Sequence, residues 1–103
     1  LLFLNSVAGK HGYPYSVAYV SSKYGMRGLA DSLRNELREY GIRVMSVHPG
    51  AVNTEFWDKI DVDFPKEEML TSEDIASSIV HAINSPKNLV TEEIVIRRVG
   101  GDF

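Results

Sequence analysis

The chain has 103 residues, enough for one small domain, and its 44% hydrophobic and 24% charged residues are typical of globular proteins. A net charge of −3 excludes a strongly basic polyanion binder, so no nucleic-acid partner is expected. The lack of cysteine excludes disulfides and Cys-based metal sites and fits a cytoplasmic protein, and no apolar run reaches the roughly 20 residues of a membrane span.

The first half of the chain predicts a strand, a long helix and a second strand. LLFLNS predicts a short, fully buried strand, and VAGKHGYP a loop. Apolar residues recur at three- and four-residue steps over 16–40, and Gly41 is a natural helix stop. IRVMSVH, residues 42–48, predicts a strand that ends at Pro49 and Gly50.

The second half predicts a loop, a helix and a third strand. Residues 51–70 have no single period and predict a short helix plus a loop. Thr71 is a good N-cap for a helix that Pro86 ends. Its apolar stripe consists of Ile75, Ala76, Ile79, Val80 and Ile83. EEIVIRR, residues 92–98, predicts the third strand.

This alternation predicts an α/β fold with parallel strands and no second domain. Three parallel strands leave the first strand without a neighbour on one edge, and the chain starts abruptly inside that strand. We therefore expect part of a larger protein. The helix over 16–40 also carries a face of small residues that predicts close helix packing, in a homo-oligomer or with a segment outside this chain: Ala18, Ser21, Ser22, Gly25 and Gly28.

Candidate chemistry gathers at the carboxyl ends of the predicted strands, where parallel α/β sheets bind ligands. Ser6 follows the first strand, Tyr19 and Lys23 follow in the next helix, and HPGAVNTE follows the second strand. Tyr19 and Lys23 are four residues apart and share a helix face. Because the chain has five tyrosines, such a pair alone is weak evidence and is more often a surface pair.

The pair has a physical basis for proton transfer. A free tyrosine has a pKa of about 10 and is a poor base at neutral pH. An ammonium about 4 Å away favours the phenolate by up to about 4 kcal/mol at an effective dielectric of about 20. With a serine hydroxyl to hold a carbonyl oxygen, this set suits proton delivery to a carbonyl, and a nicotinamide cofactor would have to supply the hydride.

With these residues in this order, the chain resembles the C-terminal half of members of the short-chain dehydrogenase/reductase family. The resemblance rests on a Ser thirteen positions before a Tyr-x-x-x-Lys, followed by Pro-Gly-x-Val-x-Thr, and it covers nearly the whole chain. It implies the C-terminal catalytic half, residues 1–103, of one Rossmann-like, doubly wound domain that binds NAD or NADP. TSEDIASSIVHAINSP and TEEIVIRR resemble the branch with NADP-dependent hydroxy-acid and serine dehydrogenases, which favours NADP.

The resemblance also implies residue roles. Tyr19 would be the catalytic acid/base, Lys23 would favour its phenolate and bind the nicotinamide ribose, and Ser6 would position the substrate carbonyl. The segment after Thr54 would correspond to the variable substrate lid. The residues expected to line the nicotinamide are Pro49, Gly50, Val52 and Thr54.

Other parts of the family pattern do not occur in this sequence. It has no Gly-x-x-x-Gly-x-Gly phosphate loop, and the family's NNAG stretch and catalytic Asn would lie upstream of Leu1. We therefore expect these 103 residues to be inactive alone. The acidic residues after Thr54 fit no calcium loop, so no metal is expected.

The sequence thus favours an NAD(P)-dependent oxidoreductase that interconverts a secondary alcohol and a ketone on a small-molecule substrate, without a membrane partner. One alternative is a non-catalytic, truncated remnant that acts only in assembly through its long helix. Another is an epimerase or dehydratase relative that uses the same Tyr/Lys pair, although the Pro-Gly-x-Val-x-Thr run argues against it.

Overall fold

The computed structural model describes residues 1–52 and 66–101. They contain a three-stranded parallel sheet in the order β1 (Leu2–Leu4), β2 (Met45–Pro49) and β3 (Glu93–Ile96). Helix α1 (Val17–Leu37) connects β1 to β2, and helix α2 (Ser72–Ile83) precedes β3. Short 3₁₀ turns cover Val7–Gly9, Arg38–Tyr40 and Lys66–Glu68. The predicted α/β class with parallel strands is confirmed.

Helix α1 follows the predicted span closely. It begins just after Ser16, passes into the 3₁₀ turn, and stops where Gly41 adopts the left-handed conformation at φ 68°. The helix is tied to the sheet by Arg34, whose side chain is only 5% exposed. Its guanidinium donates to the carbonyls of Val44 (2.8 Å) and Glu92 (2.9 Å), so one helical residue reaches the backbone leading into both β2 and β3.

Helix α2 starts with the predicted cap and covers one face of the sheet. The Thr71 hydroxyl accepts from the backbone N–H of Asp74, and the Asp74 carboxylate accepts from that of Thr71. The predicted apolar stripe is only partly correct, because Val80 and Ile83 are at least half exposed and Ala76 is exposed. The narrow three-stranded sheet buries a narrow stripe, and the core consists of Met45, Val47, Ile75 and Ala82, flanked by Val52, Leu70, Ile79, Ile94 and Ile96.

Strand β1 corrects the prediction of a fully buried first strand. The strand forms, but the side chains of Leu2 and Leu4 are 43% and 57% exposed. Among the residues that the structure describes, β1 pairs with β2 alone and is the edge of the three-stranded sheet. An edge strand keeps an uncovered side, so apolar residues do not guarantee burial there.

Residues 53–65 lie outside the described part of the chain, and they include Thr54 and most of the predicted lid. Within the described ranges, no helix combines the length and apolarity needed to cross a bilayer. The same ranges contain no group of three or more His, Cys, Asp or Glu side chains arranged to hold a metal ion.

Candidate active site

Ser6 lies where β1 turns into the first 3₁₀ turn. It is the N-cap of Val7–Gly9, and its Oγ accepts from the backbone N–H of Ala8 at 3.1 Å. A serine hydroxyl has one hydrogen to donate and two lone pairs. Because the Ala8 contact uses a lone pair, the Ser6 hydrogen remains available for donation to an oxygen of a ligand.

The backbone of Ser6 is held at both ends by buried side chains. Its N–H donates to Oδ1 of Asn5 at 2.8 Å. Its carbonyl lies 2.8 Å from Nδ1 of His48, a residue with no exposed surface. A carbonyl only accepts hydrogen bonds, so Nδ1 carries the hydrogen. His48 is therefore a hydrogen-bonded structural residue.

Tyr19 and Lys23 lie in the first turns of α1 and meet as their spacing predicts. Lys23 Nζ lies 5.5 Å from the centroid of the Tyr19 ring, within the range of a cation–π contact. The Tyr19 side chain is 54% exposed, so its phenol is accessible in this chain. Ser22 Oγ donates to the Tyr19 carbonyl at 2.8 Å, one turn along the helix.

The segment that follows β2 is anchored on both sides. Pro49 is the last residue of β2, and Gly50 donates its N–H to the Ile96 carbonyl at 2.8 Å, which extends the pairing with β3. Val52 forms an isolated parallel bridge with Leu70. Pro49, Gly50 and Val52, which are predicted to contact the nicotinamide, thus lie at and just beyond the carboxyl end of β2. Thr54, the fourth predicted contact, lies outside the described residues.

A charged cluster surrounds Glu93, the first residue of β3, and no sequence pattern indicated it. Arg27 donates to both carboxylate oxygens at 2.9 and 3.3 Å, and Lys10 donates at 3.4 Å. His48 Nε2 lies 3.1 Å from Oε2, but the two atoms are not aligned as a hydrogen bond. The hydrogen bond from Arg27 lowers the pKa of Glu93 from 4.5 to about 2.

The cluster links β3 to the two segments that carry the predicted catalytic residues. Glu93 pairs with Arg27 of α1 and with Lys10 of the turn after Ser6. Sequence separations of 66 and 83 residues hide these contacts from any local pattern. Asn5 was missed as well, although its place directly before Ser6 at a strand end was a usable signal.

A cleft of about 330 Å³ lies elsewhere, at the amino ends of the strands. Its lining includes Leu1, Ile42, Arg43 and Val90. Ligands of parallel α/β sheets bind beyond the carboxyl ends, so the cleft is not the predicted site. The candidate active site is therefore the carboxyl edge that Ser6, the first turns of α1 and the Pro49–Gly50 segment share.

Several known proteins are similar to this chain in sequence or in fold. A sepiapterin reductase from Chlorobaculum tepidum is 39% identical over all of this chain and 42% of its own length. An NADP-dependent 3-hydroxy acid dehydrogenase from Schizosaccharomyces pombe is 33% identical over 93% of this chain and 40% of its own length. The structure of an alcohol dehydrogenase from Thermococcus sibiricus, complexed with 5-hydroxy-NADP, superimposes with a TM-score of 0.81 at 28% identity, over 95% of this chain and 41% of that one.

The chain therefore spans about two fifths of the length of these relatives. The three parallel strands and two helices of the described residues match part of a Rossmann-like fold, as predicted. The short chain dehydrogenase family model matches residues 1–63, which contain Ser6, Tyr19, Lys23 and the Pro49–Gly50 segment. This chain belongs to the short-chain dehydrogenase/reductase family of oxidoreductases.

Proposed function

We propose that this chain is the catalytic half, within a single domain, of an NAD(P)-dependent oxidoreductase that interconverts a secondary alcohol and a ketone on a small molecule. The observation that carries the proposal is the contact of Lys23 Nζ with the ring of an accessible Tyr19, on the edge where Ser6 keeps a hydrogen to donate. Family membership supports the oxidoreductase class.

In the direction of reduction, the Ser6 hydroxyl donates a hydrogen bond to the substrate carbonyl oxygen and orients it. Tyr19 then transfers its phenolic proton to that oxygen as negative charge develops there. The ammonium of Lys23 stabilises the resulting phenolate through its positive charge. In the direction of oxidation, the phenolate accepts the alcohol proton. A nicotinamide cofactor supplies or accepts the hydride.

The donor set fits the nicotinamide end of such a cofactor. Tyr19 and Lys23 offer a hydroxyl and an ammonium to a ribose, while Pro49, Gly50 and Val52, with Thr54, would border the nicotinamide ring. We propose NADP over NAD, supported by one relative named as NADP-dependent and by the Thermococcus sibiricus enzyme with its NADP derivative, whereas a 4-hydroxyisoleucine dehydrogenase of 28% identity is complexed with NADH. No Gly-rich phosphate loop occurs in the 103 residues, so the adenosine end requires residues outside them.

Assembly without catalysis is the second candidate, and the exposed face of α1 favours it. Gly25 and Gly28 have open space where a Cβ would stand, and Ser21 and Ser22 are exposed. That face suits close helix packing with a second copy of the chain, and it is compatible with catalysis. Titration of the complete natural protein with NADPH separates the two candidates, because we expect a protein that acts only in assembly not to bind the cofactor.

The Tyr19→Phe variant tests the proposal in the complete natural protein that contains this chain. We expect kcat/KM for carbonyl reduction to fall about 10²- to 10⁴-fold, the usual contribution of a general acid or base. The dissociation constant for NADPH should change by less than about twofold, because the hydroxyl is a small part of the cofactor contact.

Tyr24→Phe is the matched control, since Tyr24 is also an exposed tyrosine of α1. It removes the same hydroxyl five residues further along the chain, and its kcat/KM should stay within about twofold of wild type. Carbonyl reduction by Tyr19→Phe at the wild-type rate would refute the proposed function.

A further inference from the structure

Asn5 is a buried polar residue at the junction between β1 and the predicted active site. It is 5% exposed, and its backbone N–H donates to the Val47 carbonyl at 2.7 Å, which continues the pairing of β1 with β2. A buried amide side chain needs partners for both its donor and its acceptor. Asn5 has both, and they lie in the two segments that carry the predicted catalytic residues.

The amide of Asn5 bridges Ser6 and Lys23. Oδ1 accepts from the Ser6 N–H at 2.8 Å, and Nδ2 donates to the Lys23 carbonyl at 3.1 Å, across 18 residues of sequence. The partners fix the orientation of the amide, because a backbone N–H only donates and a backbone carbonyl only accepts. An aspartate in the same place would keep the contact with Ser6 but would present an acceptor to the Lys23 carbonyl.

Gly9 leaves the space that this bridge occupies. A Cβ at Gly9 would lie 2.8 Å from both Oδ1 and Nδ2 of Asn5, closer than real Cβ contacts come. The backbone of the 3₁₀ turn after Ser6 therefore packs directly against the Asn5 amide. This close packing is independent of the hydrogen bonds, and it also fixes the position of the Asn5 side chain.

We infer that Asn5 is a positioning residue that sets the distance between Ser6 and the turn of α1 that carries Lys23. The inference rests on the proposed function. Tyr19 and Lys23 lie on one face of α1, so a shift of this turn moves both relative to Ser6. Misplacement of reacting groups by about 1 Å costs about 10²-fold in rate.

The test uses Asn5→Asp and Asn5→Ala in the complete protein. We expect kcat/KM to fall about 10- to 100-fold in both, with the NADPH dissociation constant within about twofold of wild type. Asn88→Asp, a matched change at an exposed loop asparagine, should leave these quantities unchanged.

Hydrogen exchange gives a readout that is independent of activity. Exchange of the Ser6 amide, followed in the peptide that contains residues 5–9, should accelerate about tenfold or more in Asn5→Ala, because its acceptor is lost. It should stay protected in Asn5→Asp, because the carboxylate still accepts from that N–H. This split between the two variants separates the two ends of the bridge, and a general loss of stability would not produce it.

The outcomes are distinct for the two proposals. Wild-type kcat/KM in both Asn5 variants, while Tyr19→Phe is inactive, would overturn the positioning role and leave the proposed function intact. An active Tyr19→Phe would refute the proposed function, and Ser6 amide exchange would then still report on the bridge. Asn5→Ser replaces either variant that fails to fold, and unchanged exchange and kcat/KM in Asn5→Ser would overturn the inference.

Discussion

The two segments that carry the predicted catalytic residues are held in opposite ways. In residues 5–9, Asn5, Val7, Ala8 and Gly9 are buried, and side chains from outside the turn hold the backbone of Ser6 at both ends. In residues 15–24 most side chains are exposed, and the N-cap of α1 makes no side-chain hydrogen bond to the helix.

This difference shows that the fold fixes the backbone of residues 5–9 and leaves the side chains at the start of α1 accessible to a ligand. Hydrogen bonds from buried side chains hold a backbone in one place, because each lost bond leaves a buried group unpaired. An exposed helix start relies on the helix's own bonds and keeps its side chains within reach of a ligand. We expect substitutions around residues 5–9 to affect stability, and those near the start of α1 to affect it little.

The largest stability effect is expected at Glu93, which anchors the buried region. Glu93→Gln removes the charge that pairs with Arg27 and Lys10, and the lowered pKa sets an upper limit of about 3 kcal/mol on the folding free energy that is lost, because solvent screens this partly exposed cluster. Urea unfolding of the complete protein measures this loss. The neighbouring Glu92→Gln is the control, because its pair with Arg38 is exposed and should contribute less than about 0.5 kcal/mol.

The same substitution has a defined pH dependence. The folded-state pKa of Glu93 is lowered to about 2, so its contribution is fully present above its ordinary value of 4.5 and is lost as the pH falls toward 2. The difference in unfolding free energy between wild type and Glu93→Gln should therefore shrink steadily between pH 5 and pH 2. A difference that stays constant over this range would contradict the assignment.

Gly9→Ala tests the tight packing around the Asn5 amide. The added methyl group would overlap the amide, and overpacking of this kind costs about 1–3 kcal/mol. Thermal unfolding measures the loss. Gly12→Ala, in the same loop but with no atom within 4 Å of its Cβ position, should change stability by less than about 0.5 kcal/mol. Equal effects at both glycines would argue against the packing role of Gly9.

The smallest stability changes are expected at the N-caps of the two helices. Thr71→Ala removes the capping box of α2 and should cost about 1 kcal/mol. Ser16→Ala at the start of α1 should cost less than about 0.5 kcal/mol, since Ser16 makes no side-chain cap bond and only donates to the Pro14 carbonyl at 3.3 Å. A larger loss at Ser16 than at Thr71 would show that the start of α1 is more firmly held than the comparison suggests.

Local sequence patterns predicted the order of the elements and the contact of Tyr19 with Lys23. The helix stop at Gly41 and the cap at Thr71 depend on neighbouring residues, so both were readable. The exposure of β1 was not, because burial depends on which elements cover a strand. The Asn5 bridge and the Glu93 cluster were also hidden, since they join residues that only the folded chain brings together.

The close approach of Gly9 to Asn5 has a consequence for engineering. A directed-evolution library that randomises residues 5 and 9 independently would consist largely of pairs that do not fit, because the two residues share one volume. A side chain at residue 9 requires a smaller one at residue 5, and that exchange would remove the link between Ser6 and Lys23. Residues 5 and 9 are therefore one design variable, to be changed together or kept.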